Sequence, residues 1–433
     1  MNKRHQSDND PNLTLSRRGF IKGSVYGGLG LSLFQGPSVI ALPAARSAIE
    51  DFGKLLAADA NGLMLPPGFT SRIIAVSGQA VSGTEYVWHD APDGGATFSS
   101  DDGGWVYVSN AELNSGNGGV SAIRFDAKGN IIDAYPILTG TTRNCAGGPT
   151  PWGTWLSCEE TGEGQVWECN PFDAGSQGIA RPNMGRFNHE AAAVDPVNRQ
   201  VYLTEDRADG LLYRYTPDNY PNLASGTLEA AEILDPLTEG AITPDQTRPL
   251  SWHSVPNPLT GKSNPQTRYQ VRKATAFNGS EGCWYESGLI YFATKGDNRV
   301  WKMDTRSQDI SILYDLATSR TPELTGVDNV YVSPNGDIYV AEDGGNMQIV
   351  GLTDSGIVKP VVEIPDVSGS EITGPALSPD GTRLYFSSQR GPGITYEVRG
   401  PWTKQATQSS APTHSGISGA ILTACLYALG SSD

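Results

Sequence analysis

The chain has 433 residues, and its 47 Asp and Glu against 31 Lys and Arg leave a net charge of −16. So acidic a balance argues against nucleic acid and anionic membrane surfaces as partners, but an anionic substrate stays open because bound cations reverse the local field. With 51 Gly and 29 Pro at turn frequency and few helix signals after the first sixty residues, all-β is the expected class.

In chain order the first feature is an address. Ser16-Arg17-Arg18-Gly19-Phe20-Ile21-Lys22 precedes a mildly apolar, Gly-rich run from Gly23 to Leu42 and small residues at Ala41, Ala44 and Ala45. This is the layout of a twin-arginine signal peptide over residues 1–45, with the twin-arginine translocase as partner and a periplasmic or secreted destination. Gly, Gln and Pro interrupt the run, which argues against a stable membrane anchor. Signals of this kind usually serve proteins exported already folded, often with a cofactor installed.

Residues 46–433 read as a single domain. Six alternating segments end on polar or acidic residues: GGWVYVSNAE near Trp105, GTWLSCEE near Thr154, RQVYLTED near Val201, GLIYFATKGD near Ile290, GDIYVAED near Ile338 and TRLYFSSQR near Leu384. Period-two alternation after a turn predicts a strand in each. Their spacings of about 49, 47, 89, 48 and 46 residues match the roughly 40–50 residues of a four-stranded propeller blade. The expectation is a six-bladed β-propeller with one insertion. The long spacing falls on residues 219–270, where LEAAEIL is locally helix-forming, so a loop-and-helix insertion is expected there.

A shorter strand precedes each anchor in the repeat and lines the central channel, so its start shares a mouth with the end of the next strand. Strand starts carry Cys145, Glu190, Glu281, Asp328 and Glu371, and strand ends carry Glu159 and Glu160, Glu205 and Asp206, Asp297, and Glu342 and Asp343. So many carboxylates at one mouth would repel one another unless cations sat between them, which predicts a polymetal site. Among five cysteines (Cys145, Cys158, Cys169, Cys283, Cys425) no CxxC occurs, and His is scarce. The donors left are carboxylates, carbonyls and at most one thiolate, a set that suits calcium, with iron where sulfur joins. His189 should point away from Glu190 by strand alternation, a structural role.

The runs NCAGGPTPWGTWLSCEE (Asn144–Glu160), GRFNHEAAAVDP (Gly185–Pro196), VYLTED, GLLYRYTP and ITGPALSPDG (Ile372–Gly381) resemble the PhoX-type alkaline phosphatases, over roughly Leu65 to Pro401. The resemblance implies an exported six-bladed propeller whose iron and calcium cluster hydrolyses small-molecule phosphate monoesters. It implies iron ligation by Cys145, Glu160, Glu190 and Glu281, the three glutamates serving catalysis through that metal. Calcium ligands are implied among Glu205, Asp206, Asp328, Glu342, Asp343 and Glu371. One departure stands out: Gly279 occupies the place of an arginine suited to gripping a phosphate oxygen, leaving Lys295, Arg207 or Arg390 to replace it. Two other functions fit the same scaffold. A lactonase-type hydrolase would hold one calcium with Asp328, Asn329, Glu342 and Asp343 and would not need Cys145; a calcium-stabilised binding propeller would need no catalysis at all.

Overall fold

The computed structural model describes residues 47–403 except 235–242, 245 and 366. The leader expected over 1–45 lies outside the described residues, as does Cys425.

The fold is all-β and propeller-like. Four sheets have four antiparallel strands each, and a fifth is larger. The first runs Pro92–Ser99, Trp105–Ala111, Gly118–Phe125, Ile131–Thr141. The second runs Asn144–Pro149, Trp155–Glu159, Val166–Cys169, Ile179–Ala180. The fourth in the chain is Val327–Val332, Ile338–Glu342, Gln348–Leu352, Val358–Glu363. The last, Ile372–Leu377, Arg383–Ser388, Ile394–Arg399, takes its outer strand from the start of the domain, Thr70–Val76. Pairing Thr70–Val76 with Ile394–Arg399 in one sheet closes the ring without a covalent link.

The larger sheet holds two four-stranded sets. One is His189–Asp195, Gln200–Glu205, Gly210–Asn219, Asn222–Ile233; the other is Ser280–Glu286, Leu289–Thr294, Arg299–Asp304, Asp309–Asp315. Thr247–Ser254 pairs with the outer strand of both and joins them.

The helix expected at LEAAEIL is a strand. Leu228, Ala230, Ala231 and Ile233 are buried, and the backbone pairs on one edge with Gly210–Asn219 and on the other with Thr247–Ser254. The two glutamates that favoured a helix pair across the sheet instead, Glu229 with Arg214 at 2.7 Å and Glu232 with His253 at 2.6 Å. Tertiary pairing overrides a propensity worth only tenths of a kcal/mol per residue. After Thr247–Ser254, residues 255–270 form a loop with one 3-10 turn, Thr267–Gln270, seated on the Gly185–Asn188 segment through Arg186 N–H to Pro258 O at 2.8 Å and Thr267 Oγ1 to Arg186 O at 2.7 Å.

Apolar layers fill the space between neighbouring sheets, as where Tyr331, Tyr339 and Ile349 meet Leu377, Leu384 and Phe386. Strands such as Trp105–Ala111 are therefore buried along their whole length. At the axis the six innermost strands contact one another in a closed ring, 92–99 to 144–149, 189–195, 280–286, 327–332, 372–377 and back. They approach closely because their facing residues are small. A Cβ on Gly148 would lie 1.7 Å from Ala192 O, and one on Gly282 2.4 Å from Val330 N. What remains at the axis, between Gly94, Ala146, Gly147, Ala191, Gly282 and Gly374, is a cavity of about 20 Å³, space for about one water.

Candidate metal centre at the channel mouth

Two positions in the repeat build most of the site, and Glu371, just before Ile372–Leu377, completes it. Each innermost strand carries at its second position one of Asp93, Cys145, Glu190, Glu281, Asp328 and Thr373. In the first five, pairing with the next strand breaks register across that residue: Pro92/Gly95, Asn144/Gly147, His189/Ala192, Ser280/Cys283 and Val327/Val330. A bulge releases the residue from the ladder and re-aims its side chain. The second position follows the end of each second strand and holds Glu112, Glu160, Asp206, Lys295, Asp343 and Gln389.

The donors converge in four overlapping groups, each with ligand atoms within 4.8 Å of one another: Glu112–Cys145–Glu160, Asp93–Glu112–Glu371, Glu190–Glu281–Asp328 and Asp328–Asp343–Glu371. Three basic side chains run between them. Lys295 Nζ lies 2.9 Å from Glu281, 3.0 Å from Asp343 and 3.7 Å from Asp328. Arg390 reaches Glu371 at 2.6 Å and Glu112 at 2.9 Å, while Arg143 reaches Glu112 at 3.1 Å and also pairs with Glu160. Gln389 Nε2 donates to Asp93 at 2.6 Å, Asn329 Nδ2 to Asp328 at 2.6 Å, and Cys145 Sγ to Asp93 at 3.6 Å.

Burial and mutual repulsion raise six of these acids, Asp93, Glu160, Glu190, Glu281, Asp328 and Glu371, and desolvation comes first for each of the six. Glu190 and Glu281 are held well above the usual carboxylate range, with neighbouring carboxylates adding to the effect, as is Asp93 beside Glu371 and Glu112. Glu371 is pushed up to about 8, Glu160 to about 7 against the pull of Arg143, and Asp328 to about 6 against that of Lys295. The Cys145 thiol is raised by burial and then by Asp93 and Glu190. Lys295 is raised in turn, the attraction of Asp328, Glu281 and Asp343 outweighing its own desolvation.

The residues fit a set of metal ions. The four groups hold eight carboxylates against three basic side chains, an excess of negative charge that only protons or further cations can offset. Glu190 Oε1 is buried and accepts no hydrogen bond, a state that costs free energy without a partner. Hard oxygen donors with one thiol suit hard cations and a single softer one.

Seven residues expected at the site stand together here: Cys145, Glu160, Glu190, Glu281, Asp328, Asp343 and Glu371. Asp206 is outside the four groups, beside the Gly279 backbone. Glu205 and Glu342 are outside them too, with both carboxylate oxygens engaged within the fold. Glu205 accepts from Leu211 N at 3.3 Å and Tyr213 Oη at 2.9 Å and pairs with Arg268 at 3.2 Å. Glu342 accepts from Thr325 N at 2.7 Å and Gln348 N at 2.9 Å, and Glu159 does the same for Thr142 N and Gln165 N. In each acidic doublet the first residue ties backbone N–H groups; of the second residues, Glu160 and Asp343 join the donor groups and Asp206 does not. His189 bonds Gly185 O at 2.9 Å and stacks on Phe187, away from the donors. Asp93, Glu112 and Arg143 escaped the sequence reading. Glu112 could have been found, since it follows its anchor strand as Glu160 does.

The sequence profile of the family described as "Alkaline phosphatase PhoX" matches residues 115–311 and 303–393. Among solved structures, the chain is similar to Pseudomonas fluorescens PhoX in complex with vanadate, a transition state analogue. That likeness has a TM-score of 0.66 at 17% identity and covers 80% of this chain and 97% of the other. A gluconolactonase of Xanthomonas campestris, XC5397, matches at a TM-score of 0.44 and 13% identity, over 83% of this chain and 99% of the other. No curated protein sequence matches.

Proposed function

The chain belongs to the PhoX alkaline phosphatase family, and from that premise we propose that its channel mouth hydrolyses phosphate monoesters at a cluster of iron and calcium ions. The observation that carries this is the convergence of Cys145 and eight carboxylates: five donors at bulged strand starts, three just past the ends of the strands beside them, and Glu371 just before Ile372–Leu377. Cys145 and Glu160, with Glu112, offer the one set containing sulfur and would hold iron, joined by Glu190 and Glu281. Asp93, Asp328, Asp343 and Glu371 offer oxygen alone and would hold calcium. When bound, the cations supply positive charge to the dianionic phosphoryl group and acidify water for its attack.

The chain's own cations have a second use. Lys295 takes over from the arginine that Gly279 lacks: Lys295 N–H donates to Gly279 O at 2.7 Å, so the two positions are neighbours in space. Its ammonium, held among Glu281, Asp328 and Asp343, is then available to a phosphoryl oxygen. Arg143 and Arg390 flank the same mouth and orient the ester. Taking the larger sheet as two blades bridged by Thr247–Ser254 gives the six blades expected from the repeat. Export by the twin-arginine route to the periplasm completes the reading; no helix among the described residues is long and apolar enough to cross a membrane.

The test is elemental analysis of exported protein, wild type and Cys145→Ser, purified without added metal and then assayed on a phosphate monoester. Iron and calcium together, with iron and turnover lost in the variant, is the expected result. Calcium alone, unchanged by the substitution and without phosphate release, sinks the proposal.

A further inference from the structure

The insertion loop encloses, against the Gly185–Asn188 segment, a cavity of about 280 Å³ lined by Arg186, Asn188, Arg207, Lys262, Thr267 and Arg268. Its one carboxylate, Glu205, is already bonded by Tyr213 and paired with Arg268, whose guanidinium also meets Asp209 at 3.0 Å. The other three cations are under-neutralised. The carboxylate nearest Arg186, that of Glu163, is 3.9 Å away and is bonded to Lys262 N–H at 2.8 Å. Arg186 Nε is buried and finds no acceptor. Arg207 donates through Nε to the neutral Asn188 Oδ1 at 3.1 Å. Neither Arg207 nor Lys262 has a carboxylate within ion-pair distance among the described residues. In a chain of net charge −16, this is a cavity of reversed sign.

Its place relative to the metal centre gives the sign a meaning. Asn188 pairs with Glu160 through the backbone, and its Nδ2 lies 3.4 Å from Glu160 Oε1. One residue thus lines the cavity on one side and touches a metal-site carboxylate on the other. The cavity and the metal-site carboxylate are separated by the Asn188 side chain.

We propose that this cavity is a subsite for a second anionic group on the substrate, so that the enzyme takes phosphate monoesters whose alcohol half carries a further phosphate or carboxylate. The inference rests on the phosphatase reading above. Fixed cations in a recess bind such a group through charge-assisted hydrogen bonds, and guanidinium groups suit planar carboxylates and phosphates.

The test compares glycerol 3-phosphate with 3-phosphoglycerate, which differ at one end by a hydroxymethyl group and a carboxylate, on wild type and on the double variant Arg186→Gln/Lys262→Gln. Both side chains are partly exposed, so the variant folds. The ratio of kcat/KM for the carboxylate ester to that for the neutral ester falls about tenfold in the variant, through KM, and falls in wild type as salt is raised. An unchanged ratio in an active variant overturns the subsite. Calorimetric binding of 3-phosphoglycerate separates the two readings. If wild type hydrolyses neither ester but binds 3-phosphoglycerate more tightly than the variant does, the phosphatase reading falls and the subsite stands. Equal affinities overturn the subsite.

Discussion

Stripping the metals should make the protein's stability fall as pH rises. Glu160 and Glu371 are raised to about 7 and about 8 from an ordinary value of 4.5, chiefly by burial. Below about pH 4.5 both carboxyls are protonated in folded and unfolded chains alike, and neither penalises folding. Between there and pH 8 the unfolded chain releases their protons first, so stability drains away across that window. At about 1.4 kcal/mol per pH unit of displacement, ionising Glu160 in place costs about 3 kcal/mol and Glu371 about 5 kcal/mol. Their sum rivals the roughly 5–15 kcal/mol by which a folded domain is stable. Scanning calorimetry of chelator-treated protein should therefore give a Tm lower at pH 8.5 than at pH 5.5 by on the order of 10 °C. The metal-loaded protein should hold its Tm or gain, because bound cations keep the carboxylates ionised. A stripped protein that melts at the same or higher temperature at pH 8.5 would refute the reasoning.

Three substitutions separate the roles assigned to neighbouring residues. Lys295→Met removes the cation among Glu281, Asp328 and Asp343 and should lower kcat about 100-fold on a phosphate monoester while metal content holds; near-normal kcat would exclude it as the phosphoryl grip. Glu342→Gln presents an amide to Thr325 N–H and Gln348 N–H and should cost about 2–3 kcal/mol in urea unfolding with bound metal unchanged, so loss of calcium in this variant would return Glu342 to the ligand set. Gly282→Ala puts a Cβ 2.4 Å from Val330 N at the axis; it should destabilise by about 1–3 kcal/mol or more, and a melting curve like wild type's would contradict the close packing.

The repeat was legible because its strands announce themselves by alternation and turn chemistry, and the site was legible as far as phase alone could carry it. Cys145, Glu160, Glu190 and Glu281 fall at strand starts and ends that any blade would place near one mouth. Phase could not divide the acidic doublets. Adjacent strand residues point opposite ways, which already implied that Glu205 and Asp206 could not both face the mouth. Which one does is set by backbone donors at the start of the next strand, such as Leu211 N and Gln348 N, and these appear only once the hairpin has closed. Asp93 sits in a Pro-Asp-Gly-Gly run that reads as a turn; its place at the mouth follows from a register break with Trp105–Ala111, a long-range event. LEAAEIL misled for the same reason, since its edges are satisfied by strands that local composition does not mention.

The glycines and alanines that let the innermost strands crowd the axis also give the mouth a floor. With room for about one water beneath the donors, the centre is a cup rather than a tunnel. Phosphate must leave by the door through which the next ester arrives, so traffic through this enzyme is single-file, and a phosphate-rich surrounding would slow it by occupancy alone.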